Sequence, residues 1–298
     1  MKTRFLFPAF FRIIGCLMAL PGFVLGYLVV YKNFEMPGFG LKVREQSTFL
    51  QGTFENFTNE LALTLVIAGL MFIAFSKVKK EDEMTGKIRL NALYWAIPVN
   101  YLWYAFFIIL SALNIQVKSP AINTLLDPFS NEDGYLVFNL FMPLLIFIVR
   151  FYYLLSRNAK GRPVAGIHLL KHMPFSALGK GLSFIITLLV IISQVFVKSD
   201  LLESMYWFLP LTLMIWVYAK EKVEDEYINH LRLDALQIAV YANYAILLLS
   251  NFMFYGVSFL LIQIFNLATI PLIFIIRFQY RLYRLRRSEA KSLLTLSL

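Results

Sequence analysis

Eight runs of predominantly apolar residues, near 13–31, 59–76, 91–113, 135–156, 181–197, 205–219, 234–253 and 257–277, take up most of this chain. A hydrocarbon core about 30 Å thick calls for roughly 20 such residues per helix. The chain therefore reads as all-α: a polytopic transmembrane helical bundle of about eight spans. Composition agrees, since 15% of residues are charged and 59% apolar, against about 25% charged in soluble domains. Pro21, Pro98, Pro143, Pro210 and Pro271 fall inside the expected spans, where a missing amide donor kinks a helix but is tolerated once neighbours satisfy the freed carbonyl.

The first run follows Lys2, Arg4 and Arg12, as the apolar stretch of a signal peptide would. It is longer than such stretches, lacks a small-x-small cleavage site and is followed by further spans, so it reads as an uncleaved anchor. Cys16 is the one cysteine, so no internal disulfide can form, and a thiol at that depth reads as packing. With the N-terminus inside, the N-terminal residues, the segments around 77–89, 150–180 and 220–232, and the tail from Arg277 hold 23 of the 28 lysines and arginines. That bias fixes the expected orientation, with both termini cytoplasmic. Arg281, Arg284, Arg286, Arg287 and Lys291 of the tail would lie against anionic headgroups, each charge contributing about 1 kcal/mol. Nucleic acid is the poorer reading of the +10 net charge, because the basic residues flank spans and form no separate domain.

Sliding the chain on itself by 143 positions aligns the 25 residues from Lys77 with those from Lys220, and 12 are identical. At a shift of 127, LIFIVRFYY from Leu145 meets LIFIIRFQY from Leu272. The pattern predicts two parallel four-helix repeats related by an axis along the membrane normal. The expected boundaries are 1–156 for the first repeat, 157–180 for a basic connector, 181–277 for the second repeat and 278–298 for a basic tail. Asp82, Arg89, Leu93, Ala96 and Asn100 lie along one helical stripe, and Asp225, Arg232, Leu236, Ala239 and Asn243 repeat it. Agreement along one face predicts that this face meets something both copies share. Pairing across the axis, Asp82 with Arg232 and Asp225 with Arg89, is one expectation.

The candidate sites follow from these matches. Glu81-Asp82-Glu83 and Glu224-Asp225-Glu226 stand on an otherwise basic face. One reading is structural, since carboxylates at helix N-termini are favoured by the helix dipole. The other is a partner surface or a magnesium or manganese site at the mouth of a cleft, because hard cations gather carboxylate oxygens. Asn100 and Asn243 are matched mid-span amides, each followed by tyrosine; such amides usually bond a neighbouring helix, and a substrate contact is the minority reading. His168 and His172 are four residues apart without a third ligand in the sequence. Asn56-Phe57-Thr58 fits a glycosylation triplet of a kind common by chance.

The acidic clusters follow spans two and six, a position similar to that of the magnesium- and pyrophosphate-binding motifs of UbiA-type intramembrane prenyltransferases. That family has Asn-Asp followed by aspartates at helical spacing, whereas here three acids stand side by side, so the likeness is one of position and the activity is not carried over. Asp225-Glu226, Leu231-Arg232 and Ala235, with their twins Asp82-Glu83, Ile88-Arg89 and Ala92, resemble a helix start in small bacterial multi-span membrane proteins that often accompany transcriptional regulators. The resemblance implies a bacterial inner membrane and regulation rather than catalysis. Three functions stay open: a signalling protein with a cytoplasmic protein partner, a transporter of an apolar or weakly polar solute, and a metal-dependent lipid or prenyl-transferring enzyme. No cofactor is assigned.

Overall fold

The computed structural model describes residues 5–44, 53–79, 81–112, 132–164, 166–195, 204–254 and 257–296. Its helices are α1 (Phe11–Lys32), α2 (Thr58–Phe75), α3 (Glu83–Ala112), α4 (Glu132–Ala159), α5 (His172–Val195), α6 (Leu209–Tyr218), α7 (Glu226–Met253) and α8 (Val257–Leu296). The described parts of all eight expected segments are largely helical; 113, 196–197 and most of the 114–134 stretch lie outside the described residues. Among the described residues, five helical stretches are long and apolar enough to cross a membrane, namely Phe11–Lys32, Thr58–Phe75, Leu140–Ala159, His172–Ser193 and Glu226–Met253, and Met205–Tyr218 is a shorter apolar one. The fold is an all-α bundle of the kind found in integral membrane proteins.

Local sequence explains the details. Pro21, Pro98, Pro143 and Pro271 sit inside helices. Pro210 does not kink a span as expected: it lies in the first turn of α6, after a 3-10 turn at Ser204–Phe208. There the absent N–H is one that no helical carbonyl would have accepted. Met173 is extended, so the regular part of α5 begins at Pro174, a favoured first helical residue. A short antiparallel hairpin, β1 (Gly40–Arg44) with β2 (Thr53–Asn56), stands between α1 and α2. Asn56 ties its base: its amide donates to Met36 O at 3.0 Å, Met36 N–H donates to Thr58 Oγ1 at 2.9 Å, and the Thr58 hydroxyl donates to Asn56 Oδ1. The glycosylation triplet is thereby occupied as a structural turn.

The chain sorts into two compact units, one made of 1–88, 117–163 and 244–263, the other of 89–116, 164–243 and 264–298. In the first, α1 and α2 meet through small residues. A Cβ on Gly15 would stand 2.6 Å from Gly69 O, and one on Gly69 would stand 2.6 Å from Ala19 N. Without a hydrophobic drive between helices in lipid, close backbone approach of this kind is what holds spans together. Phe75, Phe147 and Phe151 stack behind the pair and are almost fully buried. Cys16, expected to be packing, is exposed on α1, because Gly15, Ala19 and Gly22 form the buried face of that helix.

The second unit repeats the device. A Cβ on Gly179 of α5 would lie 2.5 Å from Trp216 N of α6. A further match lies within each unit. In the first, Phe7 N–H donates to Phe75 O at 2.9 Å and Lys77 N–H to Phe7 O at 2.9 Å; in the second, Leu170 N–H donates to Tyr218 O at 2.9 Å and Lys220 N–H to Leu170 O at 2.9 Å. Both are isolated parallel bridges, Phe7 with Ser76 and Leu170 with Ala219. Ser76 and Ala219 are 143 positions apart, the same shift that aligns the two sequence segments.

Candidate functional site

The two acidic clusters are built alike, and each acid has its own task. Asp82 precedes α3 and accepts from Thr85 N–H at 2.8 Å and the Thr85 hydroxyl at 2.7 Å. Asp225 precedes α7 and accepts from Ile228 N–H at 2.7 Å. These are N-caps, satisfying amides that a helix start leaves without a carbonyl and placing a negative charge at the positive end of the dipole. Glu83 and Glu226 are the first residues of their helices and are exposed, while Glu81 and Glu224 are half-buried.

Glu224 holds Arg232. The Nε of Arg232 lies 2.8 Å from Glu224 Oε1, and its Nη2 lies 3.3 Å from Oε2. The same guanidinium donates to Val217 O at 3.1 Å and Ala219 O at 3.0 Å. It also lies over the ring of Phe278 on α8, 4.8 Å from the centroid. Arg232 is 2% exposed, so one buried cation binds the last carbonyls of α6, the start of α7 and the side of α8. A planar fork with five donors can serve a carboxylate and two carbonyls at once, which a lysine cannot. The expected partner of Arg232 was Asp82. The acid that meets it is Glu224, because Asp225 and Asp82 are drawn to their own helix starts.

The repeated stripe opens on an exposed residue in each copy, Asp82 and Asp225, and is buried from the arginine onward. Arg89, Leu93, Ala96 and Asn100 on α3, and Arg232, Leu236, Ala239 and Asn243 on α7, are each at most 4% exposed. Asn243 Oδ1 accepts from the hydroxyl of Thr269 on α8, which also contacts Asn266, so this mid-span amide bonds a neighbouring helix as expected. The Tyr101 hydroxyl donates to Leu267 O of α8.

Some residues of this region are not conspicuous in the sequence. Asp234, two residues beyond Arg232 on α7, takes Arg277 at 3.3 Å and Arg281 at 3.1 Å, both from α8. Of the tail arginines expected at the headgroups, Arg281 is thus claimed by a carboxylate of α7. Glu221 accepts from Gln279 at 3.2 Å and pairs with Arg286 at 3.4 Å. The only sequence hint was that Arg277 sits in the matched LIFIIRFQY string; Asp234 aligns with an asparagine, Asn91, so the repeat hid it. The Tyr218 hydroxyl donates to Tyr94 O at 2.5 Å, with the rings 4.2 Å apart, joining α6 to α3. His172 Nδ1 contacts Lys220 O at 2.8 Å, fixing the residue before α5 to the segment before α7.

Among the described residues no group of three or more His, Cys, Asp or Glu side chains is placed to hold a metal ion. What the arrangement does chemically is neutralise and desolvate charge where helices begin and end. No protein-family model matches the chain, nor does any curated protein or solved structure.

Proposed function

We propose that this is a regulatory membrane protein formed by tandem duplication, inserted with both termini in the cytoplasm, whose two acidic helix starts face a cytoplasmic protein partner. The carrying observation is a division of labour among the acids. In each cluster the aspartate caps its helix, and the glutamate that follows is exposed beside an exposed apolar residue: Glu83 with Met84, 38% exposed, and Glu226 with Tyr227, 42% exposed. Val223, 67% exposed, widens the second patch. Each helix start by itself, with an acid beside an apolar side chain, suits a basic, partly apolar protein segment, since anchors on a helical support bind at low entropic cost. The matched bridges at Ser76 and Ala219 and the 12 identities in 25 support the duplication, and the lysine and arginine bias supports the orientation.

The other two readings have less support. Asn243 is engaged by Thr269, which takes away one of the two amides a solute pathway would use. Asp82, Asp225 and Glu224 are committed to caps and to Arg232, so three of the six acids that a magnesium or manganese site would draw on are already engaged.

Photo-reactive side chains at Tyr227 and Met84, activated in intact cells, test the proposal. A discrete protein adduct at those sites, weakened by Glu226→Lys and absent from a control at Leu249 on the mid-span surface of α7, is expected. Adducts of equal yield at Leu249, or none at Tyr227 and Met84, would sink it. Labelling of a cysteine placed at Ser288 only after the inner face is opened checks the orientation.

A further inference from the structure

We propose that the outward face of α8 from Tyr280 to Arg287 docks the phosphate headgroups of anionic phospholipids. α8 runs unbroken for 40 residues, about 60 Å at 1.5 Å per residue, roughly twice a hydrocarbon core. Phe265, Leu272, Ile276, Tyr280, Tyr283 and Arg287 follow one another at steps of seven, four, four, three and four, so they share one face. Between Phe265 and Leu272 the same face carries Thr269, half-buried against Asn243 of α7; from Leu272 on the face is exposed: Leu272 40%, Ile276 69%, Tyr280 58%, Tyr283 60%.

Along that face the chemistry changes in the order of a membrane boundary. Aliphatic and phenyl groups stop at Ile276. Tyr280 comes about 6 Å further along, and Arg284 about 6 Å beyond it, which is the depth of a headgroup layer. Tyrosine favours that layer because its ring is apolar and its hydroxyl wet. The Arg284 guanidinium lies 6.0 Å from the Tyr280 ring centroid, so the aromatic supports the cation at the boundary.

The tail arginines divide by partner. Arg277 and Arg281 go to Asp234, and Arg286 goes to Glu221. No carboxylate pairs with Arg284 or Arg287 among the described residues, and both are exposed. The first set ties α8 to its own protein; the second points away from it. A free phosphate would need a cradle of donors, whereas two arginines at the end of an apolar and aromatic stripe match a phosphate joined to acyl chains. The assignment rests on the membrane reading above and is independent of the protein partner.

The test uses the full chain purified in detergent and mixed with phosphatidylglycerol or phosphatidylcholine, with retained lipid counted by native mass spectrometry. Each basic residue near an anionic surface is worth about a fivefold change in binding. Arg284→Gln with Arg287→Gln should therefore cut phosphatidylglycerol retention on the order of 30-fold and leave phosphatidylcholine unchanged. Arg284→Lys with Arg287→Lys should retain it, which separates lost charge from lost folding. Arg281→Gln with Arg286→Gln should lower thermal stability and leave the lipid count near that of wild type. Unchanged phosphatidylglycerol retention in the Arg284/Arg287 double variant would overturn the proposal, as would equal loss in both glutamine pairs, or protection against heat by inorganic phosphate equal to that by phosphatidylglycerol. Release of the wild-type chain from membranes by alkaline carbonate would instead overturn the membrane reading itself.

Discussion

Replacing Arg232 by methionine should be among the most damaging single changes in the second unit. The side chain is 2% exposed and makes bonds to Glu224, Val217 O and Ala219 O. Methionine fills much of the volume but leaves Glu224, whose side chain is 16% exposed, without its counter-ion. Breaking a buried pair by removing one partner costs about 3–5 kcal/mol, most of it the stranded charge. Two further variants separate the terms. Glu224→Gln keeps the hydrogen bonds but takes the counter-ion from a guanidinium that is 2% exposed, so by the same rule a loss of about 3–5 kcal/mol is expected. The double variant Arg232→Met with Glu224→Met removes both charges, yet Val217 O and Ala219 O still lose their donor, at about 1–3 kcal/mol for each group left unsatisfied. The double variant should thus recover only part of the loss. Unfolding titrations with a denaturing detergent in mixed micelles give the apparent free energies. An Arg232→Met protein within about 1 kcal/mol of wild type would refute the view that this cation joins three elements; full recovery in the double variant would show that the two carbonyls need no donor.

Other outcomes follow from the same geometry. Gly179→Ala should lower the yield of folded protein, because its Cβ would stand 2.5 Å from a backbone nitrogen, whereas Gly181→Ala, with open space around it, should be neutral or slightly stabilising; size-exclusion profiles after heating distinguish them. Asp82→Ala and Asp225→Ala should each cost about 1 kcal/mol as lost caps, measured in the same titrations, and Asp→Asn should cost less. Asn243→Ala should cost only about 0.6 kcal/mol, the mean for an interhelical bond in a membrane protein; a loss several times larger would show that the contact with Thr269 does more than specify packing. Asp234→Asn should free the tail helix, read as faster proteolysis after Arg281 with α7 itself intact.

The sequence by itself determined the helices and which of their faces are buried. Apolar runs of membrane length admit few alternatives, and the stripes from Arg89 to Asn100 and from Arg232 to Asn243 were legible because matched identities recur at helical spacing. Both stripes are buried as that spacing requires. The helix-start role of the two clusters was also legible, since a carboxylate one residue before a helix has an amide to accept from within its own chain segment.

Tertiary structure decided the partners. Which of three adjacent acids meets Arg232 depends on where the preceding turn leaves each side chain, and spacing carries no record of it: Asp225 is taken by the amide three residues on, so Glu224 is the acid left to turn inward. The same holds for Asp234, whose partners are 43 and 47 positions away on α8. It holds again for Asn243, expected to bond a neighbouring helix, whose partner Thr269 lies 26 positions on in α8. Periodicity fixes which face of a helix is covered, because that is a property of one helix. What covers it is a property of two, and only packing brings the second into place.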